Sequence, residues 1–163
     1  MIYIGIDNGV TGSIGIIDSE INDATWFKTP IKKCLNYTKK KAWLNRVDAD
    51  KLFGILRKAT NCENEGTVAF IERPLVNPMM FKATTSALRA FEATVIILEF
   101  LKIPYEYIDS KEWQKAMLPN GVKGRELKRA SKDVATRLFP KLKFKGDGDG
   151  ILIAEYARRK NEG

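Results

Sequence analysis

The chain opens with two short apolar segments that are separated by a polar turn. The first segment, 2–6, leads directly into Asp7, and the second covers 14–18. Between them, Asn8 and Gly9 tolerate positive φ and begin a run of small and polar residues that lets the chain fold back on itself. The pattern predicts two strands joined by a tight turn, with a carboxylate at the end of a buried strand.

Further along the chain, β-prone segments alternate with segments of helical periodicity. Additional strands are predicted at 24–28, 67–72 and 105–108. Helices are predicted at 48–59, 82–102, 110–117, 124–138 and 151–160, and a polar turn at 61–66. Because three strands come first and helix-linked strands follow, we expect an α/β fold with a mixed sheet, three antiparallel strands then parallel ones, flanked by helices. Residues 1–163 contain no repeat or linker and are predicted to form a single domain.

The segment 32–41 interrupts this pattern. It is polar and rich in lysine, and Trp43 follows it. It shows no apolar periodicity, so it is predicted to be a loop. Lysines interleaved with Tyr37 and Trp43 are compatible with a loop that lies on nucleic acid, and equally with a solvated loop.

Composition narrows the possible chemistry. The chain has 28 Lys and Arg against 20 Asp and Glu, a net charge of +8 that suits a polyanionic partner, and it has no histidine. Ser–His and Cys–His nucleophile pairs and His-ligated zinc are therefore excluded. The two cysteines, Cys34 and Cys62, form no disulfide or metal-ligand pattern and are interpreted as reduced thiols of a cytoplasmic protein. No apolar run is long enough for a membrane span, and no signal peptide is recognisable.

Two predicted helices carry further information. The helix 82–102 is apolar on two faces, which predicts burial against the sheet on one side and against a second subunit on the other. The helix 124–138 has a basic stripe on the face opposite its apolar one. Its members are Arg125, Lys128, Arg129 and Lys132. Such a stripe is typical of a solvated face, and a surface that follows a phosphate backbone is the alternative.

Four acidic residues stand where strands end or where the last helix begins. They are Asp7, Glu72, Asp147 and Asp149. Strand ends and a helix start can converge on one point, and carboxylate oxygens without imidazole or thiolate suit Mg²⁺ or Mn²⁺. Two such ions can hold both the attacking and the leaving oxygen of a phosphodiester. Each acid by itself also has a structural explanation, as a ligand of turn amides, a helix cap or part of a flexible or calcium-binding turn.

Three motifs in this order resemble a known family. They are Ile-Gly-Ile-Asp7-Asn-Gly-Val-Thr-Gly, then Ala-Phe-Ile-Glu72-Arg-Pro, then Asp149-Gly-Ile-Leu-Ile-Ala. The set resembles the acidic motifs of RuvC-type Holliday junction resolvases, particularly the bacteriophage versions, which belong to the RNase H-like superfamily. The resemblance spans essentially the whole chain.

The resemblance implies a Mg²⁺-dependent homodimeric endonuclease that makes paired nicks in branched DNA and leaves 5′ phosphates. Asp7, Glu72 and Asp149 are then metal ligands, with one ion activating the attacking water and the other stabilising the departing 3′ oxygen. Mn²⁺ is expected to substitute for Mg²⁺, and no organic cofactor is expected. The family usually has a fourth acid or a histidine where this chain has Gly146, so Asp147 is a candidate replacement with shifted geometry.

The resemblance also implies lysines near the active site, an aromatic junction probe and a dimer. The candidate DNA contacts are Lys115, Lys123, Arg125, Lys128, Arg129 and Lys132. Leu75 stands at the distance from Glu72 at which cellular members carry the aromatic probe, with Met79, Met80 and Phe81 further on. The helix 82–102 is the predicted dimer interface, since two coordinated cuts need two sites related by a twofold axis.

Three alternatives come from the same residues. The first motif also resembles the phosphate loop of actin-like and sugar-kinase ATPases, but those proteins need two lobes and this chain has room for one. A general nuclease of the same fold that acts on forks, flaps or RNA–DNA hybrids would use the same acids. A non-catalytic DNA-binding module is the third, although three costly buried carboxylates argue against a degraded site.

Overall fold

The computed structural model describes residues 1–60 and 65–163. Cys62 and most of the predicted polar turn at 61–66 lie outside this part of the chain. The strands are β1 (Ile2–Ile6), β2 (Ser13–Asp18), β3 (Asp23–Lys28), β4 (Ile31–Leu35), β5 (Trp43–Val47), β6 (Thr67–Glu72) and β7 (Tyr105–Ile108). The helices are α1 (Ala49–Ala59), α2 (Phe81–Phe100), α3 (Ser110–Met117), α4 (Glu126–Leu138) and α5 (Asp149–Glu162). Within the described residues, no helix has the length and hydropathy of a membrane span.

The main sheet has five strands in the order β3-β2-β1-β6-β7. Strand β1 pairs antiparallel with β2 and parallel with β6, so that Ile6 lies between Ile14 and Ile71. The predicted mixed sheet, antiparallel at one side and parallel at the other, is therefore confirmed. Because β1 and β6 run parallel, Asp7 and Glu72 both lie at the same edge of the sheet.

Side-chain alternation along the strands builds a core on each face of the sheet. Tyr3 and Phe70 point to the face covered by α3, α4 and α5. Their neighbours Ile4 and Ile71 point to the other face, which α1 and α2 cover. All four side chains are almost completely buried. The sheet is thus the middle layer of three, and its edge is where a site can open to solvent.

Helix α5 lies unusually close to β1 and β2, and glycines make this approach possible. A Cβ on Gly5 would lie 2.2 Å from the backbone nitrogen of Ala154, and a Cβ on Gly15 would lie 2.2 Å from the Cα of Ile151. Backbone atoms cannot give way at such distances without a shift of the helix. These two glycines therefore set the position of α5, and with it the position of Asp149.

The prediction of a loop at 32–41 is wrong for residues 32–35, which form a strand, whereas residues 36–41 lie in the turn between β4 and β5. The chain forms an antiparallel hairpin here, in which β4 and β5 make a separate two-stranded sheet with Cys34 opposite Leu44. Most of its side chains are exposed on both faces. A strand that buries neither face has no apolar alternation, so the hairpin left no periodic signal in the sequence.

The ends of three predicted helices are also corrected by the backbone. Helix α2 ends at Phe100 rather than at 102, because Lys102 adopts a positive φ of 55°. Helix α4 begins at Glu126, after Gly124 with a φ of 59°. Helix α5 extends beyond 151–160 at both ends and includes Asp149 as its first residue.

The two predicted apolar stripes of α2 are largely covered within the single chain. Val95 and Leu98 of one stripe and Thr94 of the other are buried. Among the exposed apolar residues of the helix are Leu88, from the first stripe, and Ile96 and Phe100, which belong to neither. Contact of α2 with a second subunit remains a prediction.

Candidate active site

Asp7 is placed by the tight turn between β1 and β2. Its backbone nitrogen donates to the carbonyl of Ser13 at 2.9 Å, and the turn closes through a hydrogen bond from the nitrogen of Gly12 to the carbonyl of Gly9 at 3.1 Å. Gly9 has a φ of 135°, and a Cβ on Gly12 would lie 2.1 Å from the carbonyl oxygen of Asp7. The glycines found in the first motif are therefore required to fold the chain tightly around Asp7.

Two serines fix the start of α5, which carries Asp149 and is preceded directly by Asp147. The hydroxyl of Ser13 accepts from the backbone nitrogen of Gly150 at 3.0 Å and donates to Oδ1 of Asp147 at 3.2 Å. The hydroxyl of Ser131, on α4, accepts from the backbone nitrogen of Gly148 at 3.1 Å. Buried helix-start amides are thereby satisfied, and the helix start is held against the turn that follows β1.

The result is a compact carboxylate cluster. Oxygen atoms of Asp7, Asp147 and Asp149 all lie within 4.8 Å of one another, and this is the one such group of three or more potential ligands among the described residues. An all-oxygen donor set of this size fits a hard divalent cation such as Mg²⁺ or Mn²⁺. The structure thus brings together three of the four predicted acids.

Glu72 lies beside this cluster at the end of β6. Its Oε2 accepts a hydrogen bond of 2.6 Å from Nε1 of Trp113, whose side chain is buried on α3. The charge of Glu72 raises the pKa of Asp7, so the two carboxyls act on each other across the sheet edge. Trp113 therefore holds the orientation of Glu72 and leaves one carboxylate oxygen free of that bond.

Burial and like charge shift the pKa values of the acids upward. Burial raises the pKa of Asp7 well above its usual range, and Asp149, Glu72 and Asp147 add to the effect. Burial also raises the pKa of Glu72 to about 7, against the lowering effect of the Trp113 hydrogen bond. The pKa of Asp149 rises to about 6, through burial and then the charge of Asp147. Without a cation, the ionised cluster is therefore unfavourable at neutral pH.

These shifts predict a pH-dependent effect of Mg²⁺ on stability. In the metal-free protein, a carboxyl with a raised pKa contributes stability below its ordinary value of 3.8 or 4.5, and this contribution is lost as the pH rises through about 6 to 7. A bound divalent cation reverses that loss. We therefore expect Mg²⁺ to raise the melting temperature strongly at about pH 8 and little at about pH 5. Thermal denaturation with EDTA or Mg²⁺ at matched ionic strength measures this, and an equal shift at both pH values would contradict it.

Of the predicted DNA-contacting residues, Lys128 is the one that the structure brings to the acids. Its Nζ lies 3.6 Å from Oδ2 of Asp147, while its side chain is 72% exposed. Arg129 instead faces Asp133 on the same helix, at 4.0 Å. The remaining candidates are exposed on α3, α4 and the loop between them. They are Lys115, Lys123, Arg125 and Lys132. Their contact with DNA stays a prediction.

Gly146 stands where the resemblance predicts a fourth acid, and this position faces away from the carboxylate cluster. A Cβ on Gly146 would lie 3.7 Å from Cε of Lys28 and 3.9 Å from the ring of Trp26. A side chain there would face β3. Asp147, one residue later, lies in the cluster and is held on both of its oxygens, by Ser13 and by Lys128.

Three residues of the site were missed by sequence reasoning. Ser131 lies on the inner face of α4, where a polar residue four positions after Leu127 was an available signal. Ser13 looked like one more turn residue. Trp113 left no signal, because a buried tryptophan in an amphipathic helix is indistinguishable from ordinary core.

Comparison with known proteins finds similarity of fold. No protein-family model and no curated protein matches the chain. Among solved structures, it is similar to Thermus thermophilus RuvC in complex with a Holliday junction substrate, at 13% identity and a TM-score of 0.59, with 98% of this chain and 96% of that chain covered. A second Thermus thermophilus RuvC structure has 12% identity and a TM-score of 0.52, with 98% and 97% covered. The α/β RNase H-like architecture and the resemblance to RuvC are thus confirmed at the level of fold.

Proposed function

We propose that this protein is a divalent-metal-dependent endonuclease that resolves four-way DNA junctions by paired phosphodiester hydrolysis. The observation that carries the proposal is the cluster of Asp7, Asp147 and Asp149, with Glu72 beside it, at one edge of a RuvC-like sheet. The net charge of +8 favours a polyanionic substrate. The similar Thermus thermophilus protein was solved with a Holliday junction substrate, which supports the same substrate class here.

In this proposal the acids hold Mg²⁺, and Mn²⁺ substitutes for it. The bound metal supplies activation of the attacking water and charge stabilisation of the departing 3′ oxygen, so the products carry 5′ phosphates. The protein positions its own groups for this: Trp113 orients Glu72, and Ser13 orients Asp147. Lys128 borders the cluster and is exposed enough to contact a phosphate of the substrate. Asp147 serves as the fourth acid in place of position 146.

We further propose that the working enzyme is a homodimer formed through α2. The exposed apolar side chains of Leu88, Ile96 and Phe100 support this, since exposed apolar side chains are typical of contact surfaces. Paired cuts require two active sites related by a twofold axis. A monomeric mass in solution at micromolar concentration would count against the dimer. A single nick per junction, instead of paired nicks, would also count against it.

The test is a nicking assay on a synthetic four-way junction, with matched duplex, fork and RNA–DNA hybrid substrates, in Mg²⁺, in Mn²⁺ and in EDTA. We expect symmetrical, metal-dependent cuts in the junction and intact duplex. Cutting of forks or hybrids as well would support a general nuclease of the same fold. Binding without cleavage in either metal would support a non-catalytic DNA-binding module and would overturn the proposal.

A further inference from the structure

The β4–β5 hairpin and α2 enclose a groove next to the acidic cluster. Its volume is about 740 Å³, within the roughly 300–1,000 Å³ of ligand sites. Val10, in the turn that follows Asp7, lines it, and the same turn is tied to α2 by a hydrogen bond of 3.2 Å from Asn8 Nδ2 to the carbonyl of Ala87. We propose that this groove is a second binding site, which takes a single-stranded segment of nucleic acid. It does not depend on which branched substrate the acids cut.

The charge of the groove matches a phosphate backbone. The segment 31–47 contains five lysines, one arginine and no acidic residue. Lys32 and Arg46 line the groove from the hairpin, and Lys82 and Arg89 line it from α2. None of the groove-lining residues in the described part of the chain is acidic. A groove with positive charge on both walls can neutralise the phosphates of a nucleic-acid strand that lies in it.

Exposed aromatic side chains supply surfaces for the bases. Trp43 is 69% exposed and Tyr37 87% exposed, and both line the groove. Phe81, at the start of α2, is 75% exposed on the opposite wall. The guanidinium of Arg89 lies 5.8 Å from the centroid of the Tyr37 ring. Aromatic faces among cations are the usual platform for unpaired bases, and paired bases in a duplex do not present their faces.

The hairpin is pre-organised to present these groups. The backbone nitrogen of Asn36 donates to the carbonyl of Ala42 at 2.9 Å, and the hydroxyl of Thr38 donates to Oδ1 of Asn36 at 2.9 Å. The tip therefore holds Lys39, Lys40 and Lys41 in a hydrogen-bonded turn. Less ordering entropy is lost on binding when the cations are already held in place.

A second copy of the chain is a poor occupant for this groove. A twofold contact would place the same surface of two chains together, and cations would then face cations. The apolar residues of α2 proposed for the dimer, Leu88, Ile96 and Phe100, are not among those that line the groove. Ile96 lies one turn beyond Ala93 on the same side of α2, so the two surfaces adjoin along the helix.

Trp43 makes the site directly measurable. The chain has three tryptophans, of which Trp113 is buried and Trp26 half-buried, so Trp43 is the one open to a ligand. The titration uses oligo-dT in EDTA, so that no cleavage takes place and failure of the nuclease proposal leaves the result unaffected. We expect saturable quenching of the tryptophan emission in the parent and loss of that quenching in Trp43→Phe. Trp43→Ala should weaken binding, measured by anisotropy of labelled oligo-dT, by about tenfold.

Two matched double variants test whether the cations of the groove, rather than net charge, bind the strand. Lys32→Gln with Lys82→Gln removes two cations that line the groove, one from the hairpin and one from α2, and we expect the slope of log affinity against log salt to fall in magnitude by about 1.4. Lys58→Gln with Lys141→Gln removes the same charge from the last turn of α1 and from a cleft beside Ser19, at the far end of β2 from Asp7. This control should leave the slope nearly unchanged.

Three results would overturn the proposal. One is oligo-dT binding by anisotropy that leaves Trp43 emission unchanged. Another is an equal loss of salt dependence in both double variants, since that is binding by net charge alone. The third is a Trp43 that is shielded from acrylamide in a dimeric free protein, because a second copy then fills the groove. Unchanged far-UV circular dichroism in each variant establishes that the fold is intact.

Discussion

Replacement of Asp7 by asparagine is expected to abolish junction cleavage while leaving junction binding nearly intact. Asp7 lies at the centre of the carboxylate cluster, and the charges of Asp149, Glu72 and Asp147 all act on it. Loss of an outer partner of a metal ligand typically costs about 10–100-fold, so loss of a ligand itself should exceed about 100-fold. In the proposed function DNA binding rests on cations rather than on Asp7, so it should change by less than about threefold.

The same substitution has a second readout that separates a metal site from simple structural damage. Asparagine removes a buried like charge, so we expect the metal-free Asp7→Asn protein to melt at a higher temperature than the parent at about pH 8, and Mg²⁺ to add little further stability. Asp18→Asn is the matched control, since Asp18 also ends a strand but lies at the opposite edge of the sheet. Cleavage by Asp7→Asn at the parental rate would refute the metal site.

Replacement of Gly15 by alanine is expected to destabilise the protein and to reduce cleavage together. The added Cβ would lie 2.2 Å from Cα and 2.5 Å from the nitrogen of Ile151, both of them backbone atoms of α5. Overpacking of this kind costs about 1–3 kcal/mol, which corresponds to a fall of about 2–12 °C in melting temperature for a chain of this size. Activity should fall even below the melting temperature, because the displaced helix carries Asp149.

Gly54→Ala is the control for this prediction. Gly54 is exposed within α1, and a Cβ there would meet no atom within 4 Å. Alanine in a helix interior is favoured over glycine by about 0.5–1 kcal/mol, so this variant should be slightly more stable and fully active. If Gly15→Ala had the melting temperature and the cleavage rate of the parent, the prediction would be contradicted, because α5 could then shift to make room for the added Cβ without harm to the site.

The two substitutions probe different layers of one arrangement. In the proposed function Asp7 takes part in the chemistry, whereas Gly15 belongs to the packing that sets the distance between α5 and the sheet. A site built from a strand end and a helix start depends on that distance as much as on its ligands. Asp7→Asn should therefore lose activity with a gain in stability, and Gly15→Ala should lose both.

Much of the fold was accessible from the sequence because strand and helix patterns are local. The turn after 2–6 and the helix-linked strand 67–72 predicted a mixed sheet of antiparallel and parallel strands, which the structure has, but not the order of its strands. Asp7 and Glu72 could be placed at one edge because parallel neighbours end at the same side. Their roles as metal ligands stay predictions. The hairpin at 31–47 was not predicted from the sequence, because it buries neither face and so carries no periodic pattern.

What only the tertiary structure decided are contacts between residues far apart in the chain. Asp147 joins the cluster because it accepts a hydrogen bond from Ser13, 134 positions away. Lys128 is distinguished from the other basic residues only by its position opposite Asp147. Trp113 meets Glu72 because α3 packs against the end of β6. Local sequence sets which residues end a strand or start a helix, whereas side-chain partners depend on how whole elements pack, and that is decided by close contacts such as those of Gly5 and Gly15.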